Sequence, residues 1–121
     1  MSYDLRIGVK IEDTDIIAVI DEPDRPSPTY NIGEMLRKCM GWDFKQGEWY
    51  RVEDVFPNIE RGIRELSINR KAYTQYDAPN GWGCTSTALE ALKSLRDCIK
   101  ENISGDRGWQ AVPEKYLYVC W

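Results

Sequence analysis

"LRIGVKIEDTDIIAVI", residues 5–20, decides the fold. Leu5, Ile7, Val9 and Ile11 alternate with Arg6, Gly8 and Lys10, the period of two that gives a strand one apolar and one polar face. Residues 12–15 ("EDTD") carry turn chemistry, and residues 16–20 ("IIAVI") read as the returning strand. Together they form a β-hairpin. A hairpin with one apolar face needs a second layer to cover it, and the rest of the chain supplies helices.

Beyond the hairpin, "DEPDRPSP" (residues 21–28) holds three prolines and four charges and reads as a surface loop. Asp21, Glu22 and Asp24 are expected there as solvated acids. Helix one is expected from Asn31, with Glu34 completing a capping-box-like pair. Its buried stripe is Ile32, Leu36 and Cys39 with Met35 or Met40, and Gly41 stops it. "WDFKQGEWYRV" (residues 42–52) is either a short hairpin or an aromatic loop. Helix two carries Val52, Val55, Phe56, Ile59, Ile63, Leu66 and Tyr73 at helical spacing. Pro57 suits only a first turn, which sets the start near Asp54. Residues 74–83 are a loop. Leu89, Leu92, Leu95, Ile99 and Ile103 then form the stripe of helix three, which Gly105 ends. In "KYLYVCW" (residues 115–121), Leu117, Val119 and Trp121 alternate with Tyr116, Tyr118 and Cys120, a closing strand beside the hairpin.

The order is β-β-α-α-α-β. It predicts an α+β fold in which a small antiparallel sheet, the N-terminal hairpin plus the C-terminal strand, is covered by about three helices. Its 121 residues suit a single domain spanning 1–121.

Composition excludes several classes of function. The chain has no histidine, so Ser-His-Asp and Cys-His catalysis are closed to a single copy. Its four cysteines form no C-x-x-C pair and have no histidine to complete a zinc set, so they read as reduced thiols. Cys39 and Cys98 fall on apolar faces and behave as small core groups. Asp13 and Asp15 read as solvated turn acids. No metal site and no cofactor is therefore expected. The net charge of −4, with the signs interspersed, gives no basic face and argues against broad nucleic-acid binding. There is no 18-residue apolar run and no signal-peptide pattern at residues 1–10, which leads to the expectation of a cytoplasmic protein without membrane association. In that setting the sequon at Asn102 carries no meaning.

The stretch most suggestive of chemistry is "NGWGCTST", residues 80–87. Most of it reads as helix-start grammar. Asn80-Gly81 is a turn dipeptide, and Thr87 with Glu90 matches a capping box, with Thr85 or Ser86 as alternative caps. A helix N-terminus rich in hydroxyls is also a ready anion site, and Trp82 between two glycines can present its indole for stacking. Cys84 at such a position is a candidate low-pKa thiol without a base. Arg70 and Lys71 close helix two and, with Arg64, are placed to reach the same anion if helices two and three lie antiparallel. Aromatics are abundant, five Trp and seven Tyr. Trp42, Trp49 and Tyr76 thus join the candidate ligand-binding set of Arg64, Arg70, Lys71, Asn80, Trp82, Thr85, Ser86 and Thr87. No catalytic residue is assigned.

"SPTYNIGEMLRKCMGWDF" (residues 27–44), "NGWG" before a helix and the terminal "YLYVCW" resemble small proteins, without an established activity, carried by phages and integrative elements of Gram-positive bacteria. The resemblance spans nearly the whole chain and implies a context, the disabling of host defence in the bacterial cytoplasm. It brings no functional residue with it. The leading expectation is a non-enzymatic anti-defence binding protein that sequesters a nucleotide-derived immune signal, built as a homo-oligomer. A protein inhibitor of a host defence nuclease such as a CRISPR effector is the alternative. A small nucleotide-processing enzyme is the third.

Overall fold

The computed structural model describes residues 3–23, 28–77 and 83–121. Its strands are β1 (Arg6–Lys10), β2 (Ile17–Asp21), β3 (Trp49–Arg51) and β4 (Leu117–Cys120). Its helices are α1 (Gly33–Met40), α2 (Val52–Ile68) and α3 (Thr85–Ser104). The strands form one antiparallel sheet in the order β2-β1-β4-β3. The α+β class and the expected sequence of elements stand, with β3 added between α1 and α2.

The hairpin closes as its sequence implies. The Ile11 N–H donates to the Ile16 carbonyl at 2.9 Å. The Thr14 hydroxyl donates to the Ile11 carbonyl at 2.8 Å and accepts the Ile16 N–H at 3.1 Å. Asp13 takes the left-handed conformation (φ 60°) that acidic turn residues tolerate. The register sets Ile7 opposite Val119 and Val9 opposite Leu117, so one face of the sheet is apolar and meets the helices. Leu117, Val119 and Trp121 are all buried there, as the alternation of the tail requires.

Tyr50 of β3 pairs with Val119 of β4, so "WYR" is an edge strand, neither a local hairpin nor a loop. Trp49 is turned to the outer face beside Cys120 and Arg6. It lies flat across the sheet: a Cβ on Gly8 would come within 2.9 Å of its ring and 2.5 Å of Ile17. Glycine at position 8 is what admits the indole. Cys120, expected to point outward, is nonetheless buried, because Trp49 and Arg6 flank it on that face.

Helix boundaries depart from expectation where packing outweighs local signals. Thr29, rather than Asn31, provides the first cap: its hydroxyl accepts the Asn31 N–H at 3.3 Å and opens a 3₁₀ turn over Tyr30–Ile32 ahead of α1. Helix α2 begins at Val52, two residues before the expected start, which leaves Pro57 inside the helix. Val52 and Val55 are both buried, so the core draws in the first turn and outweighs the missing proline donor. The helix ends at Ile68, and Tyr73 reaches the core after a separate 3₁₀ turn, Arg70–Ala72. Helices α2 and α3 pack against each other and contribute Ile59, Leu66, Leu92, Leu95 and Ile99 to one continuous core.

Candidate functional site

The start of α3 is built differently from a row of hydroxyl caps. Cys84, not Thr85, Ser86 or Thr87, is the N-cap, with extended backbone at φ −147° and ψ 177°. Thr87 is the N3 residue. Its hydroxyl accepts the Cys84 N–H at 2.9 Å and donates to the Cys84 carbonyl at 2.8 Å. The Thr85 N–H donates to Asp77 Oδ1 at 2.9 Å, and Thr85 itself is buried. A carboxylate of the chain therefore already takes one donor that an anion would use. Gly83 (φ +126°) packs so closely that a Cβ would fall 2.6 Å from Ile32 and 2.8 Å from Thr29. Packing against Ile32 and Thr29 is reason enough for a glycine here. The N–H of Thr87 and, less strongly, that of Ser86 hold the Cys84 thiol below its ordinary value, against a smaller opposing effect of burial. Burial pushes Cys39 the other way, up to about 12.

The remaining sequence candidates do not come together in one place. Arg64, Arg70, Lys71, Ser86 and Thr87 are exposed. Tyr76 packs against the core, close in sequence to the Asp77 that binds the α3 start. Asn80 and Trp82 lie outside the described residues, as does Asp24. Trp42 belongs to an aromatic cluster: its ring centroid is 4.9 Å from Tyr50, 5.7 Å from Phe44 and 6.0 Å from Trp121. Phe44 stacks on Trp121 at 4.3 Å and 17°, and Tyr3 meets Tyr30, Phe44 and Trp121 edge-on. Much of the unusual aromatic content is thus core bulk under the sheet. Trp49 sits on the opposite face with the Arg6 guanidinium 6.0 Å from its ring centre.

One polar constellation escapes sequence reading altogether. Asp21, expected as a solvated acid, is 8% exposed at its side chain. Arg107 Nε donates to Asp21 Oδ2 at 2.7 Å and Nη2 to Oδ1 at 2.8 Å. Asn102 Nδ2 adds a bond to Oδ2 at 2.8 Å, and Cys98 Sγ approaches the same oxygen at 3.2 Å. Burial alone would raise the Asp21 pKa, but the bonds from Arg107, Asn102 and Cys98 outweigh it and hold the value at about 2. Asn102 is fully buried: its side-chain oxygen accepts the Trp109 indole N–H at 2.9 Å, and its carbonyl accepts the Val112 N–H at 2.9 Å. The sequon at Asn102 is therefore inaccessible in the folded chain. No short motif joins residues 21, 102 and 107, so only the fold reveals them.

This network holds residues 105–113 against the hairpin, and a concave feature lies between the two. Two adjoining hollows of ≈ 530 Å³ each share Val9, Lys10, Ile11, Gln110 and Val112. Ala18, Ile20 and Trp109 line one end, and Pro113 and Tyr116 the other. Five of the six exposed large hydrophobic side chains among the described residues, Ile11, Ile16, Val19, Trp109 and Tyr116, gather at this hairpin and its facing loop. Single exposed apolar groups are ordinary on protein surfaces, but three of these, Ile11, Trp109 and Tyr116, line the hollows themselves and mark an interaction surface.

Among the described residues, no group of three or more His, Cys, Asp or Glu is placed to hold a metal ion. No described helix is long and apolar enough to cross a membrane. No family model, curated protein or solved structure matches the chain.

Proposed function

We propose that this chain is a non-catalytic binding protein whose target is another protein, held at the groove between the β1–β2 hairpin and residues 105–116. The observation that carries this reading is the clustering of Ile11, Trp109 and Tyr116, all exposed, around an apolar groove whose wall is locked by the Asp21–Arg107 pair. A rigid concave surface with aromatic rims loses little entropy on binding, the setting in which protein contacts become strong. In the anti-defence context that the sequence resemblance implies, the target is a protein effector of host defence, such as a nuclease.

Sequestration of a nucleotide-derived signal is the second reading. It rests on the exposed hydroxyls of Ser86 and Thr87, with Arg70 and Lys71 on the segment that leads to Asp77 at the same helix end. The occupied Thr85 N–H counts against it. Native mass spectrometry of the chain recovered from cells carrying active defence systems separates the two. A stoichiometric protein complex that dissociates when Ile11 is changed to Glu supports the protein-directed reading. A retained small molecule, released intact on heating and lost in Arg70→Ala, supports sequestration instead, and a released product indicates an enzyme.

A further inference from the structure

We infer that the outer edge of β2 is a self-complementary dimerisation strand, on which a second copy of this chain pairs antiparallel to form one continuous eight-stranded sheet. The hydrogen-bonding pattern provides the opening. Antiparallel pairs alternate between bonded and non-bonded positions. Because the Ile11 N–H bonds the Ile16 carbonyl, the next bonded pair of the hairpin is Val9 with Ala18. Ile17 and Val19 therefore turn their backbone N–H and C=O groups to the open side. Among the described residues, no strand pairs with that side.

Edge strands in soluble proteins are ordinarily blunted by charge, proline or cover. Residues 16–20, Ile-Ile-Ala-Val-Ile, carry no charge and no proline, which come only at Asp15 before the row and at Asp21, Glu22 and Pro23 after it. Ile16 is 60% exposed and Val19 47%. An apolar row of this kind on a sheet edge is a template for pairing with another chain.

The order of the row selects a second copy as that partner. Read backwards, Ile-Ile-Ala-Val-Ile becomes Ile-Val-Ala-Ile-Ile, the same pattern with one isoleucine–valine exchange. A two-fold axis through Ala18 matches Ile16 with Ile20 and Ile17 with Val19 of the other copy, an isologous interface in which every cross-strand pair is apolar. Ile17 and Val19 exchange the bonded pairs, and the two Ala18 residues, the smallest of the row, meet at the axis. At the ends Asp15 falls beside Asp21 of the second copy, a like-charge contact offset in part by the Arg107 guanidinium that bonds both Asp21 and Glu101. Ala18 and Ile20 of the pairing row also line one end of the groove, so the two grooves of a dimer adjoin the two-fold axis. This inference does not depend on the proposed function.

The test is sedimentation equilibrium of the full chain and of Val19→Lys, which places a charge on the edge without touching the core. The native chain should sediment at twice the 14.1 kDa chain mass, and Val19→Lys at the single-chain mass with an unchanged circular dichroism spectrum. Ala18→Cys, in a Cys84→Ser background to remove the partly exposed native thiol, should form a covalent dimer on mild oxidation. A native chain that stays monomeric across the dilution series overturns the inference. So does a dimer that survives Val19→Lys, or an Ala18→Cys dimer that never cross-links.

Discussion

Asp21 and Arg107, 86 residues apart, meet through two parallel N–H···O bonds of 2.7 and 2.8 Å at the seam between the hairpin and the segment after α3. The two-pronged geometry fixes the direction of both side chains, and Asn102 below it binds the carboxylate, the Trp109 indole and the Val112 backbone. The pair is the clasp that makes the groove rigid.

Acid should open that clasp. The folded Asp21 pKa lies at about 2 against an ordinary 3.8, so its contribution is complete above the ordinary value and is lost as pH falls through the folded one. The size is about 2 kcal/mol. Urea unfolding at a series of pH values should show this loss between 3.8 and about 2, and Asp21→Asn should flatten the slope in that window. At neutral pH, Arg107→Ala leaves a buried carboxylate without its partner and should cost roughly 3 kcal/mol.

Thiol chemistry should be confined to one position. Cys39, Cys98 and Cys120 are buried, and Cys84 is partly exposed with its thiolate favoured by the N–H groups of Thr87 and Ser86. Native protein should take up one equivalent of iodoacetamide, at Cys84, with a rate that rises at lower pH than for an ordinary thiol. Uptake at Cys39 without unfolding would contradict the core described here. Cys84→Ser, which keeps a polar atom at the cap, should change stability by less than ~1 kcal/mol and leave the biological effect intact.

The outer sheet face gives a third check. Gly8→Ala puts a methyl where Trp49 and Ile17 lie, and overpacking of this kind costs about 1–3 kcal/mol. Because Trp49 must lift to make room, its fluorescence should shift to the red, while Trp49→Ala combined with Gly8→Ala should recover part of the lost stability. Additive losses in the double variant would show that the two residues do not touch.

The terminal strand gives a fourth. Trp121 is 1% exposed and stacked on Phe44, so Trp121→Ala should cost ~3–5 kcal/mol in chemical denaturation. Removing residues 116–121 takes away the strand between β1 and β3 and should leave insoluble protein. A soluble truncation with an unchanged circular dichroism spectrum would make the tail an appendage.

What was legible in the sequence was what periodicity carries. The alternation of Leu5 to Ile11 and of Leu117 to Trp121, and the three- and four-residue spacing of the long helices, sufficed for the fold class and for most of the core. Position 49 shows where that stops. A three-residue strand has too few turns of its period to register, and its partner, Cys120, is 71 residues away. The helix starts erred for a related reason. Asn31 and Thr87 look like caps, but Thr29 and Cys84 hold those positions because burial of Ile32 and Thr85 sets the frame. Asp21 beside a proline-rich loop resembles any surface acid, and only the folded path of α3 brings Arg107 to it. The candidate site suffered most, since the aromatic abundance that suggested stacking proved at Trp42 to be core, while the exposed apolar set is spread over residues 11, 16, 19, 109 and 116.

The measurement that tests the central claim most directly is suppression of a host defence system by variants at the two competing surfaces. Ile11→Glu and Tyr116→Glu alter the groove at exposed positions, and Arg70→Ala with Lys71→Ala alters the 3₁₀ turn that follows the end of α2, also at exposed positions. All should fold, as circular dichroism would verify. The groove variants should lose suppression and the α2-end variant should keep it. Full suppression by both groove variants, with loss in the α2-end variant, would contradict a protein-directed groove.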